Sequence, residues 1–76
     1  MAMSLAQSTF ANLRSDIIFG VLAPGQRLKL DELQLRYGAS VPTLREVLNR
    51  LTADALVVAE DQRGFTVAPI SVANLH

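Results

Sequence analysis

Apolar residues recur along the chain first at helical spacing and then at shorter, strand-like spacing. From Leu5 to about Phe19 they fall at Phe10, Leu13 and Ile17, three and four residues apart, as one helix face requires. Gly20 suits a left-handed exit from that helix, and "LAPGQ" holds Pro24 and Gly25 in the order a type II turn prefers. A short extended piece from about Gln26 to Lys29 leads to "LDELQLRYG". There Leu30, Leu33 and Tyr37 share a face, Asp31 and Glu32 favour a helix N-terminus, and Gly38 ends the element.

A third helix is expected from about Pro42 to Asp54. Ser40 can accept a hydrogen bond from its first-turn amides, and Pro42 is harmless where those amides have no helical partner. A residue before proline disfavours the helical region, which leaves Ser40 and Val41 both open as the cap. Leu44, Val47, Leu48 and Leu51 fall in one sector and are assigned to the core; Pro42, Arg45, Glu46, Asn49, Arg50 and Ala53 point away.

Past this helix, "LVVAEDQRGFTVA" is two runs rich in β-branched residues around the polar tip Asp61, Gln62, Arg63 and Gly64, which reads as a hairpin. Pro69 closes its second strand. "SVANLH" then starts a capped helix at Ser71 that is cut after about one turn. Only a few residues separate Gly38 from Pro42, the length and glycine content of the turn in a helix-turn-helix. The predicted fold is therefore mainly α with a small β-hairpin, a winged helix-turn-helix of three helices plus a wing. Residues 1–70 form the domain, and 71–76 start a linker helix.

Composition narrows the function. A chain of 76 residues makes one small domain, half of it apolar, with seven basic and seven acidic side chains. No apolar run approaches a membrane span, and "MAMSLAQSTF" lacks the basic start of a secretory signal, so a cytoplasmic protein is expected. The absence of cysteine excludes disulfides and thiolate metal sites. His76 has no partner at metal-ligand spacing, and no nucleophile and base, paired carboxylates or Gly-rich phosphate loop occurs. Neither an enzyme nor a cofactor or metal site is expected.

What remains is the outward face of the third helix. A polar-faced helix after a short turn, followed by a hairpin with a basic tip, is the arrangement that inserts a helix in the major groove. Arginine can grip guanine edges or phosphates with two parallel hydrogen bonds, and Asn49 can reach a base edge. The competing reading is an ordinary solvated helix face, on which Glu46 and Arg50 make an i to i+4 pair. Zero net charge also speaks against a dedicated nucleic-acid domain, although the third helix carries two arginines, against Glu46 and the C-terminal Asp54, and the tip adds Arg63.

"APGQRL", "DELQLRYG", "LREVLNRL" and "QRGFTV" resemble, in order and spacing, the winged helix-turn-helix of the GntR family of bacterial transcription regulators, over about Leu13 to Ser71. "LKLDEL" and a helix after Pro69 look like the FadR-type subfamily, in which a helical effector domain follows. The resemblance implies a sequence-specific DNA-binding module with recognition helix about 42–54 and wing about 60–65. Its DNA-binding residues would be Ser40, Thr43, Arg45, Asn49, Arg50, Arg63 and Gly64. It implies double-stranded DNA, in a palindromic operator, as partner, a homodimer formed through the absent C-terminal domain, a small-molecule effector bound outside this segment, and a repressor. The sequence departs from the pattern at Val41, where arginine is usual, in the order Pro42-Thr43, at Gln34, where a small residue is preferred, and at Ala55, which replaces a helix-ending glycine. A winged helix used for protein association is the alternative, with Leu35 and Phe19 expected to be exposed.

Overall fold

The computed structural model describes residues 4–60 and 64–69. Its elements are α1 (Leu5–Ile18), β1 (Arg27–Leu28), α2 (Leu30–Tyr37), α3 (Val41–Ala53), β2 (Val57–Glu60) and β3 (Gly64–Val67). The helix expected at Ser71, like the linker over 71–76, lies outside the described residues.

Helix α1 opens on a capping box: Ser4 Oγ accepts from the Gln7 amide and the Gln7 side chain accepts from the Ser4 amide, both at 3.1 Å. Its buried line is Thr9, Leu13 and Ile17, whereas Phe10, expected in the core, is half-buried at the core's edge. The chain then reverses at the expected turn, where the Gln26 amide donates to the Ala23 carbonyl at 3.0 Å and Gly25 takes φ +81°.

Leu28 follows that turn and is drawn into the sheet. The strand order is β1-β3-β2, all neighbours antiparallel, with Leu28 opposite Phe65 and Val57 opposite Val67. All four of these side chains are buried on one face, while Arg27 and Val58 project from the other. The wing is thus a three-stranded sheet among the described residues, where the sequence pattern gave a two-stranded hairpin.

Helix α3 is the centre of the fold, packing against α1, α2 and β2. Leu44, Val47, Leu48 and Leu51 have no measurable exposure and meet Leu13, Leu33 and Val57 in one core. The helix ends in a Schellman arrangement: the Leu56 amide donates to the Leu51 carbonyl, the Ala55 amide to the Thr52 carbonyl, and Ala55 sits at φ +64°. Buried Leu56 beside Leu51 holds the chain in that turn, so the fold tolerates alanine in a conformation that favours glycine.

Candidate nucleic-acid interface

Gly38 closes α2 in the left-handed region at φ +66°, and two residues later Ser40 caps α3, which resolves the choice between Ser40 and Val41. Ser40 Oγ accepts from the Thr43 amide at 3.5 Å and donates to Thr43 Oγ1 at 3.1 Å. Val41 and Pro42 therefore fill the first helical positions, where proline's missing N–H is not needed.

The buried stripe of α3 dictates its outer face. Pro42, Glu46, Asn49 and Ala53 are exposed and follow one another at spacings of four, three and four, forming a ridge away from the core. Arg45 and Arg50 flank that ridge on opposite sides. Arg45 lines a cleft with Leu30 of α2 and with Ala59, Glu60, Gly64 and Phe65 of the wing. Arg45 and Gly64 are thereby brought together, 19 residues apart in the chain, with Gly64 at φ +96°. The flexible backbone of Gly64 suits a tight wing tip. Arg63 lies outside the described residues.

Arg50 turns to α1, with its guanidinium 4.5 Å from the centroid of the Phe10 ring. The Glu46 and Arg50 pair that the competing reading of this face supposes is absent. Among the described residues the one ion pair is Arg36 Nε with Asp16 Oδ2 at 3.8 Å. An aromatic face attracts the cation while leaving the guanidinium edge free to donate, whereas a bridge to Glu46 would occupy that edge and gain little in water. Glu46 is left on the ridge between the two arginines.

The platform under the site is tied by Tyr37, whose hydroxyl donates to Asp16 Oδ2 at 2.5 Å and links the end of α2 to α1. Burial, and then the bond to Asp16, pushes the Tyr37 hydroxyl up from 10.0 to about 12. A second basic group also escaped the sequence reading: Arg27, Lys29 and Arg36 line one shallow pocket with Glu32. They converge only because β1 joins the sheet, which local pattern does not reveal. Among the described residues no cluster of side chains could hold a metal ion, and no helix is long and apolar enough to cross a membrane.

Comparison with known proteins agrees with this geometry. Residues 5–67 match the model of "Bacterial regulatory proteins, gntR family". The chain is 46% identical over 73 residues to the uncharacterized HTH-type transcriptional regulator BphR of Paraburkholderia xenovorans (strain LB400), covering 96% of this chain and 30% of that protein. It is 41% identical over 59 residues to the HTH-type transcriptional repressor GlaR of Escherichia coli (strain K12), covering 78% of this chain and 27% of the repressor. Among solved structures, a GntR-family transcriptional regulator from Pseudomonas syringae pv. tomato str. DC3000 superposes with a TM-score of 0.75 at 35% identity, over 87% of this chain and 28% of that one. Lar, which controls the expression of the Listeria monocytogenes agr system, superposes with a TM-score of 0.79 at 25% identity, over 90% of this chain and 32% of its own. The chain thus spans under a third of the length of these relatives, which are regulators and not enzymes. With its three helices, its wing and a family match over nearly its whole length, the chain belongs to the gntR family of bacterial regulatory proteins.

Proposed function

We propose that this domain is the sequence-specific DNA-binding module of a bacterial transcription repressor, with α3 in the major groove and the wing tip on the backbone or in the minor groove. The observation that carries the reading is the position of Arg45, beside the exposed ridge of α3 and in one cleft with Gly64 of the wing. A helix entering the groove with that ridge leading would bring Arg45 to a guanine edge or phosphate, with Asn49 at the next base edge. The Thr43 hydroxyl proton is left free by the cap and would donate to a phosphate. Arg50, held against Phe10, would meet the backbone from the α1 side, and Arg63 with Gly64 from the wing side.

Zero net charge makes a single copy a weak binder, so specific affinity would come from two copies on symmetric half-sites of a palindromic operator. In this reading residues 1–70 are the module and 71–76 begin a helix leading to a FadR-type helical domain. That domain would pair two subunits, bind a small-molecule effector and act in the cytoplasm.

A second reading, a winged helix used for protein association, is favoured by Phe19 and Leu35, which are 79% and 90% exposed. An electrophoretic mobility shift over a salt series separates the two. Groove binding requires the logarithm of the affinity to fall linearly with the logarithm of salt concentration. A complex insensitive to salt, or no complex with any duplex, favours association with protein.

A further inference from the structure

The first turn of a recognition helix places its side chains against base edges. In α3 that turn is apolar on its outer side. Val41 is half-buried, and Pro42 is exposed at the head of the ridge that continues through Glu46, Asn49 and Ala53. Neither side chain can donate or accept a hydrogen bond, and the proline lacks a backbone N–H as well. Of the neighbouring hydroxyls, Ser40 is engaged with both the amide and the hydroxyl oxygen of Thr43, and the one free proton, on Thr43, is the one assigned above to a phosphate. This end of the helix therefore has few hydrogen-bonding groups with which to tell bases apart. What it offers is a rigid apolar prominence, its backbone fixed by the proline ring.

Of the four bases, thymine alone presents an apolar group in the major groove, its C5 methyl. We propose that Val41 and Pro42 read thymine by packing against that methyl at one position in each half-site. The inference rests on the placement of α3 in the major groove given under Proposed function. Discrimination rests on the methyl, which gains burial against these side chains and which cytosine lacks; thymine O4 and the cytosine amine are alike without a partner there. A family member with arginine at the position of Val41 would have a guanine-reading fork here, so the departure at Val41 changes the base that is read, not merely the strength of binding.

The test uses the protein as its gene encodes it, and a duplex selected by that protein from a random pool. Deoxyuridine replaces thymidine one position at a time, which removes the methyl and leaves base pairing intact. The expected result is a loss of about fourfold in affinity per methyl at one symmetric pair of positions, the value of one buried methylene-sized group. In the Val41→Ala/Pro42→Ala double variant, checked for folding by circular dichroism, thymidine and deoxyuridine duplexes should bind alike. Should the double variant not fold, Pro42→Ala alone replaces it, with the loss expected to shrink. Deoxyuridine tolerated at every position, or an unchanged loss in the variant, overturns the inference. Arg45→Ala on the same duplexes tells the two levels apart. If it alters base preference while deoxyuridine is tolerated, only the thymine reading fails; if it alters nothing in a folded protein, the placement of α3 fails with it.

Discussion

The Tyr37 hydroxyl donates to Asp16 Oδ2 at 2.5 Å, joining the last residue of α2 to α1 one residue before the left-handed Gly38. This bond ties the end of α2, just ahead of the turn into α3, to α1. Tyr37→Phe keeps the ring and removes the bond, and should cost about 1 kcal/mol, the value of a partly exposed hydrogen bond to a charged acceptor. The pH dependence gives a second readout. The hydroxyl is pushed up from 10.0 to about 12 in the fold, so between those values the unfolded chain holds fewer protons than the folded one. Its contribution is fully present below pH 10.0 and is lost as pH rises through about 12. Denaturant melts of the two proteins across that window should show their stability difference shrinking. A difference independent of pH would rule out the linkage.

Ala55 at φ +64° predicts that Ala55→Gly stabilises the domain. A left-handed alanine costs on the order of 1 kcal/mol relative to glycine, which corresponds to a rise of about 4–8 °C in Tm for a domain of this size. Thermal unfolding followed by circular dichroism measures it. A lowered Tm would mean that the glycine's extra freedom in the unfolded chain outweighs the relieved strain.

Arg50 and Arg45 should respond differently to the same truncation. Arg50→Ala removes a guanidinium stacked on Phe10 and is expected to cost about 0.5–1 kcal/mol of stability, as well as DNA affinity. Arg45→Ala removes an exposed side chain and should leave stability within about 0.5 kcal/mol of the parent. Urea titrations of both variants decide it, equal losses being the contrary result.

The two arginines also mark how far the sequence could be read. The helices and the buried sector Leu44, Val47, Leu48 and Leu51 were legible because spacing alone specifies a helix face. The exposed Leu35 and Phe19 followed from the same reasoning, whereas the left-handed Ala55 was implied by the resemblance, in which a glycine ends that helix. Contacts that depend on how elements cross were not legible. Arg50 chose Phe10 over Glu46 because α1 lies against α3, and Tyr37 reached Asp16 because α1 lies beside the end of α2. Strand β1 is two residues long and carries no alternation of its own; its pairing with β3 emerges only when the turn at Gly25 and the hairpin meet. The capping box at Ser4 and Gln7 had a local signal and was missed within an unremarked N-terminal stretch.

Phe19 and Leu35 contribute little inside this domain, being 79% and 90% exposed. Phe19→Ser and Leu35→Ser should each change unfolding free energy by less than about 0.5 kcal/mol. A larger loss in chemical denaturation would show that these side chains pack within the domain in solution.

Base preference on mutation of Arg45 tests the placement of α3 most directly. Wild-type and Arg45→Ala protein, both verified as folded, would be used to select from the same random duplex pool at the same salt concentration. With α3 in the major groove and Arg45 reading a base, the variant should bind the wild-type operator weaker by roughly 1–3 kcal/mol per site and lose preference at one symmetric pair of positions, other positions keeping theirs. An identical selected sequence and unchanged affinity in the folded variant would contradict the account.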